Sequence, residues 1–257
     1  GDTIKIGVFE PASGDNGAGG KQEALGIQYA NEETPTIELN GETYTIELVQ
    51  VDNESDPSKG ITAAETLVSK GCSIVLGTYG SAVAIAAGPT FDKAGIPAMG
   101  VTCTNPQVTA AKNYFRMCFL DPFQGTVLAN YAWEHGSTKA YCLSKMGDDY
   151  SVGLVNYFSK AFKALGGTVV EEQFEQGNSD FAAYVANAKK AIEGLKAGQK
   201  EGSPSKITFQ SGVENADTTM SRMETFIFVP ALNFFNQVKN CTVETFAENS
   251  VLILYGL

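Results

Sequence analysis

Short apolar runs alternate with amphipathic segments along the first two thirds of the chain. The run Thr3–Phe9 predicts a strand, a helix is expected over 20–33, and Asn40-Gly41 predicts a turn between two further strands. The pattern continues with helices over 57–70 and 81–93 and with strands over 73–77 and 96–101. Because a helix separates most successive strands, this part of the chain is expected to show βαβ winding and a mainly parallel sheet.

A second alternating series follows Asp121-Pro122. Its elements are helices over 123–135 and 178–196 and strands over 139–144 and 168–174. Between these strands an aromatic or leucine residue recurs every four positions from Tyr150 to Phe162, which predicts a helix that ends at Gly166-Gly167. The pattern therefore predicts an α/β fold with two Rossmann-like lobes, 1–121 and 122–257, and a hinge at Asp121 and Pro122.

The periodic pattern weakens beyond residue 197. We expect strands over 206–209, 225–229 and 250–255 and a short helix over 231–239. A tail of this composition leaves open whether the second lobe is complete. If it is incomplete, its apolar strands have fewer neighbours, and we then expect them to pair with another chain or to expose apolar surface.

The charge and the lengths of the apolar runs exclude several classes of protein. The 257 residues carry a net charge of −11, which repels phosphate backbones, so no nucleic acid partner is expected. The apolar runs at 225–232 and 251–255 are far shorter than the ~20 residues that a membrane helix requires. The chain starts directly on a strand, so we expect any signal peptide to have been removed or to lie outside this sequence.

Two turns rich in hydroxyl groups and glycine are the candidate binding site. Tyr79-Gly80-Ser81 follows the apolar run Ser73–Gly77, and the segment from Gly100 to Pro106, which contains Thr102 and Thr104, follows the apolar run Ile96–Met99. Ligands of parallel α/β sheets bind beyond the carboxyl ends of strands, where N–H groups at helix starts favour anions. The pattern predicts a site for a small carboxylate. An alternative is that Ser81 and Thr104 are helix N-caps.

No catalytic residue, metal site or cofactor is expected. The five cysteines lack the paired spacing of a metal site, and the sequence contains only one histidine, His135. His135 fits a position at a helix C-terminus. The glycine-rich loop over 13–20 departs from both nucleotide-binding patterns at Gln22. An enzyme would have Ser81 or Cys103 as its nucleophile, but no suitably placed histidine or nucleophile-elbow motif supports it.

Six motifs carry a resemblance to a known family. They are Ile4–Pro11, Val51–Pro57, Gly95–Pro97, Thr104–Pro106, Phe119–Gly125 and Asp149–Leu154. With them, the chain from Thr3 to about Tyr184 resembles the type I periplasmic binding proteins, specifically the branched-chain amino-acid (Leu/Ile/Val) binding family of ABC transporters. The resemblance implies two lobes that close on a small ligand.

The resemblance also implies roles for five residues. Ser81 matches the serine that holds the ligand α-carboxylate, and Thr104 matches the threonine that contacts the carboxylate and the ammonium group. Thr102 falls where a backbone carbonyl accepts from the ammonium group. Tyr79 falls where a residue lines the pocket, and Tyr150 falls where an aromatic residue of the second lobe covers the ligand; for Tyr150, a place in its helix's core is the alternative.

Two departures from the family accompany these matches. Gly19 or a neighbour stands where the family often has a bulky residue, and no acidic residue of the second lobe is matched to the ligand ammonium group.

The expected function is that of a periplasmic or cell-surface solute-binding protein. It would bind a small amino acid, of branched-chain type, in the interlobe cleft and deliver it to an ABC permease without chemistry. A sensory or regulatory ligand-binding module of the same fold and a truncated relative with weak or no binding remain open as alternatives.

Overall fold

The computed structural model describes residues 2–134 and 137–196, together with three short strands farther along the chain. The chain divides into two compact units, here called the N-terminal unit (Gly1–Leu120) and the C-terminal unit (Asp121–Leu257). His135 and the helix expected over 231–239 lie outside the described residues.

The N-terminal unit has one sheet among its described residues. Its strands are β1 (Thr3–Glu10), β2 (Thr36–Leu39), β3 (Glu42–Asp52), β4 (Ile74–Leu76), β5 (Ala98–Gly100) and β6 (Tyr114–Arg116). They lie in the order β2-β3-β1-β4-β5-β6, and all pairs are parallel except β2 with β3. The helices are α1 (Gly17–Glu33), α2 (Pro57–Ser69) and α3 (Ser81–Ala94), with a 3-10 helix at Pro106–Ala110.

Turn chemistry explains the hairpin, and a contact from another loop supports the start of α1. Asn40 and Gly41 have φ angles of 53° and 83°, as a tight turn between antiparallel strands requires, and the predicted turn is confirmed. Helix α1 begins at Gly17 rather than near residue 20. The Ser55 hydroxyl accepts a hydrogen bond from Asn16 N and thereby holds the preceding residue in place for an earlier helix start.

The parallel pairing places the carboxyl ends of β1, β4 and β5 side by side. Val8 pairs with Leu76, and Leu76 pairs with Met99. Phe9, Phe91 and Tyr114 are buried beneath this edge, with the ring of Phe91 edge-on to both of the others. Residues that leave the three strands at this edge are therefore brought together on a close-packed core.

The described part of the C-terminal unit has the same alternating construction. Its elements are α4 (Asp121–Glu134), β7 (Lys139–Lys145), α5 (Asp149–Ala164), β8 (Thr168–Phe174), α6 (Ala182–Lys196), β9 (Phe209–Gln210), β10 (Ile227–Phe228) and β11 (Ile253–Tyr255). The parallel order is β8-β7-β11-β10-β9. Helix α6 begins at Ala182 rather than at 178, since Asp180 Oδ1 accepts from Ala182 N.

The strands of the tail are not short of neighbours. Strand β10 pairs with β9 and β11, and β11 pairs with β10 and β7. Among the described residues, β10 and β11 therefore each have two partner strands within this chain, and β11 extends the sheet directly beside β7. Pairing with another chain and exposed apolar surface stay predictions. Both units thus have mainly parallel α/β sheets, as the sequence predicts.

Candidate functional site

The turn after β4 ends on a buried serine. Ser81 is the first residue of α3 and is 2% exposed, and Gly80, at a φ of 115°, occupies the N-cap without a side-chain bond. The hydroxyl of Ser81 accepts a hydrogen bond of 3.1 Å from Asn105 N in the turn after β5. The N-cap alternative for Ser81 is therefore wrong, because its side chain joins two turns instead.

The turn after β5 carries the two predicted threonines. Thr104 is 6% exposed, whereas Thr102 is exposed. Asn105 is the N-cap of the 3-10 helix, and its Oδ1 accepts from Gln107 N at 2.8 Å. The N-cap alternative is wrong for Thr104 as well, because Asn105 holds that position. Ser81, Thr104 and Asn105 thus lie together, buried, at one sheet edge.

Arg116, which the sequence analysis missed, holds the second turn from the end of β6. Its Nη1 donates to the carbonyl oxygens of Cys103 and Asn105, at 3.2 and 2.9 Å, and its Nη2 donates to Pro106 O at 3.2 Å. The planar guanidinium can serve several carbonyl oxygens at once, so Arg116 fixes the backbone on both sides of Thr104. A cation at the end of a short strand beside the site was the available sequence signal.

A pair of carboxyl groups, also missed, lies behind both turns. Glu10, the last residue of β1, is 0% exposed, and its Oε2 accepts from Tyr79 N at 2.7 Å. Glu23 of α1 accepts from the Thr102 hydroxyl through Oε1. Burial, and then a hydrogen bond to Glu23, raise the pKa of Glu10 to about 10, and burial raises the pKa of Glu23. The signal was an acidic residue ending the apolar run Val8-Phe9.

The ring of Tyr79 lies against α1 at Gly19, which has no side chain. A Cβ atom added to Gly19 would lie 2.5 Å from the Tyr79 ring, so only glycine leaves space for the ring there. The departure at Gly19 noted above therefore has a packing reason in this chain, since the Tyr79 ring occupies the adjoining space. Burial raises the pKa of the Tyr79 hydroxyl, which is consistent with a ring that is half-covered.

The glycine-rich loop before α1 is held by the loop after β3. Asp52 accepts from Ala12 N at 2.8 Å and from the Ser13 hydroxyl at 2.7 Å, and Ser55 Oγ accepts from Asn16 N at 3.0 Å. Two backbone N–H groups of this segment, those of Ala12 and Asn16, therefore already have partners in the protein and are not presented to a nucleotide. The loop fits the interpretation of a tight turn at the site's edge.

Tyr150 belongs to the C-terminal unit, at the second position of α5. Asp148 caps this helix by accepting from Ser151 N at 2.8 Å, and the Tyr150 hydroxyl accepts from Gln124 Nε2 at 3.1 Å. The buried face of α5 is formed by Ser151, Leu154, Val155, Phe158, Ser159 and Phe162. Tyr150 is half-buried and is not part of that face, so its place in the helix core is the weaker interpretation; its role in ligand binding stays a prediction.

Cys103 is poorly suited to be a nucleophile. Its side chain is 1% exposed, and burial raises the pKa of its thiol to about 12, so little thiolate is present near neutral pH. Within residues 2–134 and 137–196 the structure has no cluster of three or more His, Cys, Asp or Glu side chains placed to hold a metal ion. None of the helices in the described part of the chain is both long and apolar enough to cross a bilayer.

Comparison with known proteins assigns the family. Residues 3–193 match the periplasmic binding protein family, and the chain belongs to that family. It is 31% identical over 192 residues to the Leu/Ile/Val-binding protein homolog 1 of Brucella abortus, a match that covers 73% of this chain and 51% of the relative. The chain therefore spans about half the length of the curated relatives that it matches.

Solved structures show the same fold. A leucine binding protein of Thermotoga maritima superposes with a TM-score of 0.69 at 34% identity, covering 73% of this chain and 53% of that protein. A solute binding protein of an R. palustris ABC transporter, in complex with benzoate, superposes with a TM-score of 0.66 at 25% identity, covering 74% of this chain and 53% of that protein. The two relatives have different ligands, and both ligands carry a carboxylate.

Proposed function

We propose that this chain is the ligand-binding part of an extracytoplasmic solute-binding protein of an ABC transporter and that its ligand is a small amino acid of the branched-chain type. The observation that carries the proposal is the hydrogen bond from Asn105 N to Ser81 Oγ at 3.1 Å, which joins two hydroxyl-bearing turns at the start of α3.

The chemistry of Ser81 suits a carboxylate ligand. Its oxygen accepts from Asn105 N, so its own proton remains to be donated to a ligand oxygen. The first N–H groups of the 14-residue helix α3 lie beside it, and the helix dipole favours negative charge there. A hydrogen bond to a charged carboxylate in a site shielded from water is about twice as strong as a neutral one. Ser81 and Thr104 would thus hold the carboxylate, and Thr102 O would accept from the ammonium group.

The geometry supports a carboxylate ligand, and the names of the relatives narrow this class to amino acids. The Brucella relative is named for leucine, isoleucine and valine, and the Thermotoga protein is named for leucine. Benzoate, the ligand of the R. palustris protein, keeps the carboxylate and lacks the ammonium group. We infer an amino acid because the two closer relatives, by identity, are named for amino acids.

Family membership supports the location and the partner. Periplasmic binding proteins work outside the cytoplasm, so we place this chain in the periplasm or on the cell surface and infer delivery to a membrane permease. The relatives are named as binding proteins, which supports a role in binding without catalysis. Tyr79, together with Tyr150 of the C-terminal unit, would set the preference for the ligand's side chain.

Calorimetric titration tests the proposal. Leucine, isoleucine, valine and benzoate are titrated into the folded protein, and 3-methylbutylamine serves as the matched leucine analogue that lacks the carboxylate. We expect saturable binding of one or more of the amino acids and none of the amine. If the folded chain binds no member of the panel, the proposal is rejected, and the chain is a relative that keeps the fold without this binding.

A further inference from the structure

Glu10 and Glu23 form a continuous connection between the two turns of the site. Glu10 Oε2 accepts from Tyr79 N, two residues before Ser81, and Glu23 Oε1 accepts from the hydroxyl of Thr102, two residues before Thr104. The two remaining oxygens, Glu10 Oε1 and Glu23 Oε2, are buried and have no donor among the described residues. The function proposed above gives no role to either carboxyl group.

A single proton satisfies both of these oxygens. Two ionised carboxylates side by side in a buried place would repel each other, and no lysine or arginine in the described part of the chain forms an ion pair with either one. The Glu10 and Glu23 side chains lie within hydrogen-bonding reach of each other. A proton on the free oxygen of Glu10 can therefore be donated to the free oxygen of Glu23, which gives every oxygen of the pair a partner. The proton is better placed on Glu10, because Glu10 is 0% exposed. Glu23 is half-buried, and its carboxylate accepts a hydrogen bond from the Thr102 hydroxyl.

The surroundings of the pair are built to admit the Glu10 carboxyl group. A Cβ atom added to Gly77 would lie 2.8 Å from Glu10 Oε1 and 2.1 Å from Phe9 O, so a side chain at this position would displace the carboxyl group. Tyr114, from β6, donates to Gly77 O at 2.7 Å. Besides Tyr79, the other titratable groups that interact electrostatically with the pair are the buried Tyr114 hydroxyl and the Cys103 thiol, both uncharged near neutral pH.

We propose that Glu10 and Glu23 share one proton and act as a positioning pair, which fixes the turn of Ser81 relative to the turn of Thr104. Glu10 bonds β1 to the turn of Ser81, and Glu23 bonds α1 to the turn of Thr104. Without the pair, the hydrogen bond from Asn105 N to Ser81 Oγ would remain as a side-chain connection between the two turns. Its consequence for ligand affinity rests on the proposed function, whereas its protonation and its effect on the turns do not.

The first test measures where the proton lies, in the absence of ligand. Glu10 binds a proton more strongly in the folded protein than in the unfolded chain, so wild-type stability falls with rising pH between the ordinary pKa of 4.5 and about 10. Relative to Glu10→Gln, the unfolding equilibrium constant of the wild type should rise up to about tenfold per pH unit in that interval.

The matched variant Glu23→Gln keeps the buried acid at position 10, so it should retain this pH dependence. Loss of the dependence in Glu23→Gln with its retention in Glu10→Gln would place the proton on Glu23 and contradict the assignment. If neither variant changes the dependence, the two groups do not share a proton.

The second test measures positioning by hydrogen exchange at Asn105 N, which the pair does not touch. Glu10→Leu cannot accept from Tyr79 N or donate to Glu23, so exchange at Asn105 N should become at least about tenfold faster, while Glu10→Gln should restore protection. Should Glu10→Leu fail to fold, Thr102→Val removes the hydroxyl bonded to Glu23 and is read in the same way. Unchanged exchange at Asn105 N in these variants would overturn the positioning role.

The ligand titration separates this inference from the proposed function. If an amino acid binds, Glu10→Leu should lower its affinity at least about tenfold and Glu10→Gln should rescue it. If no ligand binds the wild type while the two ligand-free tests give the expected results, the proposed function fails and the positioning pair stands. If the wild type binds and Glu10→Leu binds equally well, the pair does not position the ligand site.

Discussion

Replacing Ser81 by alanine removes one oxygen with two consequences, and their sizes follow from its surroundings. The hydroxyl is 2% exposed and accepts from Asn105 N at 3.1 Å, so Ser81→Ala leaves a buried N–H group without an acceptor. An unsatisfied buried donor costs about 1–3 kcal/mol, and the free energy of unfolding should fall by that amount. A ligand carboxylate loses a hydrogen bond worth about 1.5–3 kcal/mol, a fall in affinity of about ten- to 150-fold.

Two measurements separate these effects. Urea unfolding without ligand gives the stability, and calorimetric titration with the best amino acid of the panel gives the affinity. The matched control is Ser159→Ala, which removes the same oxygen from a buried serine of α5 whose hydroxyl has no hydrogen-bond partner among the described residues. The control should bind the ligand as the wild type does, with an unchanged or slightly higher free energy of unfolding.

Each role of Ser81 has its own contradicting result. Wild-type affinity in Ser81→Ala, together with lower stability, would make Ser81 a structural link that does not hold the carboxylate. Unchanged stability would show that its bond to Asn105 contributes little to the fold. Equal losses of affinity in Ser81→Ala and in Ser159→Ala would show that the binding loss is not specific to the site.

Three further substitutions test other parts of the structure. Tyr150→Ala should weaken ligand binding with little change in melting temperature, because its side chain is only half-buried; a large fall in melting temperature at unchanged affinity would place it in the core. Arg116→Lys keeps the charge but loses the fork that serves Asn105 O and neighbouring carbonyl oxygens, so urea unfolding should show a loss of about 1–3 kcal/mol, and wild-type stability would contradict this. Asp56→Ala removes the N-cap of α2 and should cost about 0.5–2 kcal/mol at neutral pH. The hydrogen bond from the Ser58 side chain lowers the pKa of Asp56. The stability difference between the wild type and Asp56→Ala is therefore fully present above the ordinary Asp pKa of 3.8 and should shrink as the pH falls below that value. A stability difference that is constant with pH would contradict the capping role.

The sequence predicted elements well where local pattern decides them. The sequence predicts a strand over 168–174, and β8 occupies Thr168–Phe174; the predicted Asn40-Gly41 turn connects two antiparallel strands. Periodicity and turn chemistry lie within a few residues, so they can be read without the fold. Helix starts were less predictable because they depend on capping. The start of α1 depends on Ser55, which comes from a different loop.

The position of the site could be predicted from the sequence, but its hydrogen bonds and supporting residues could not. Ser81 and Thr104 could be placed at one sheet edge because parallel strands bring their carboxyl ends together. Their hydrogen bonds could not be predicted, and the N-cap alternative was wrong for both. Glu10 and Arg116 were missed because each acts on a turn that belongs to another part of the sequence.

The sequence by itself determined the α/β class, the order of the elements and the two turns that follow β4 and β5. These properties depend on short-range periodicity and on the chemistry of neighbouring residues. Only the tertiary structure decided that Ser81 would accept from Asn105 and that Glu10 would meet Glu23. These contacts join residues far apart in the chain, and the hydrogen bonding and the protonation of buried groups depend on which partners the fold brings to them.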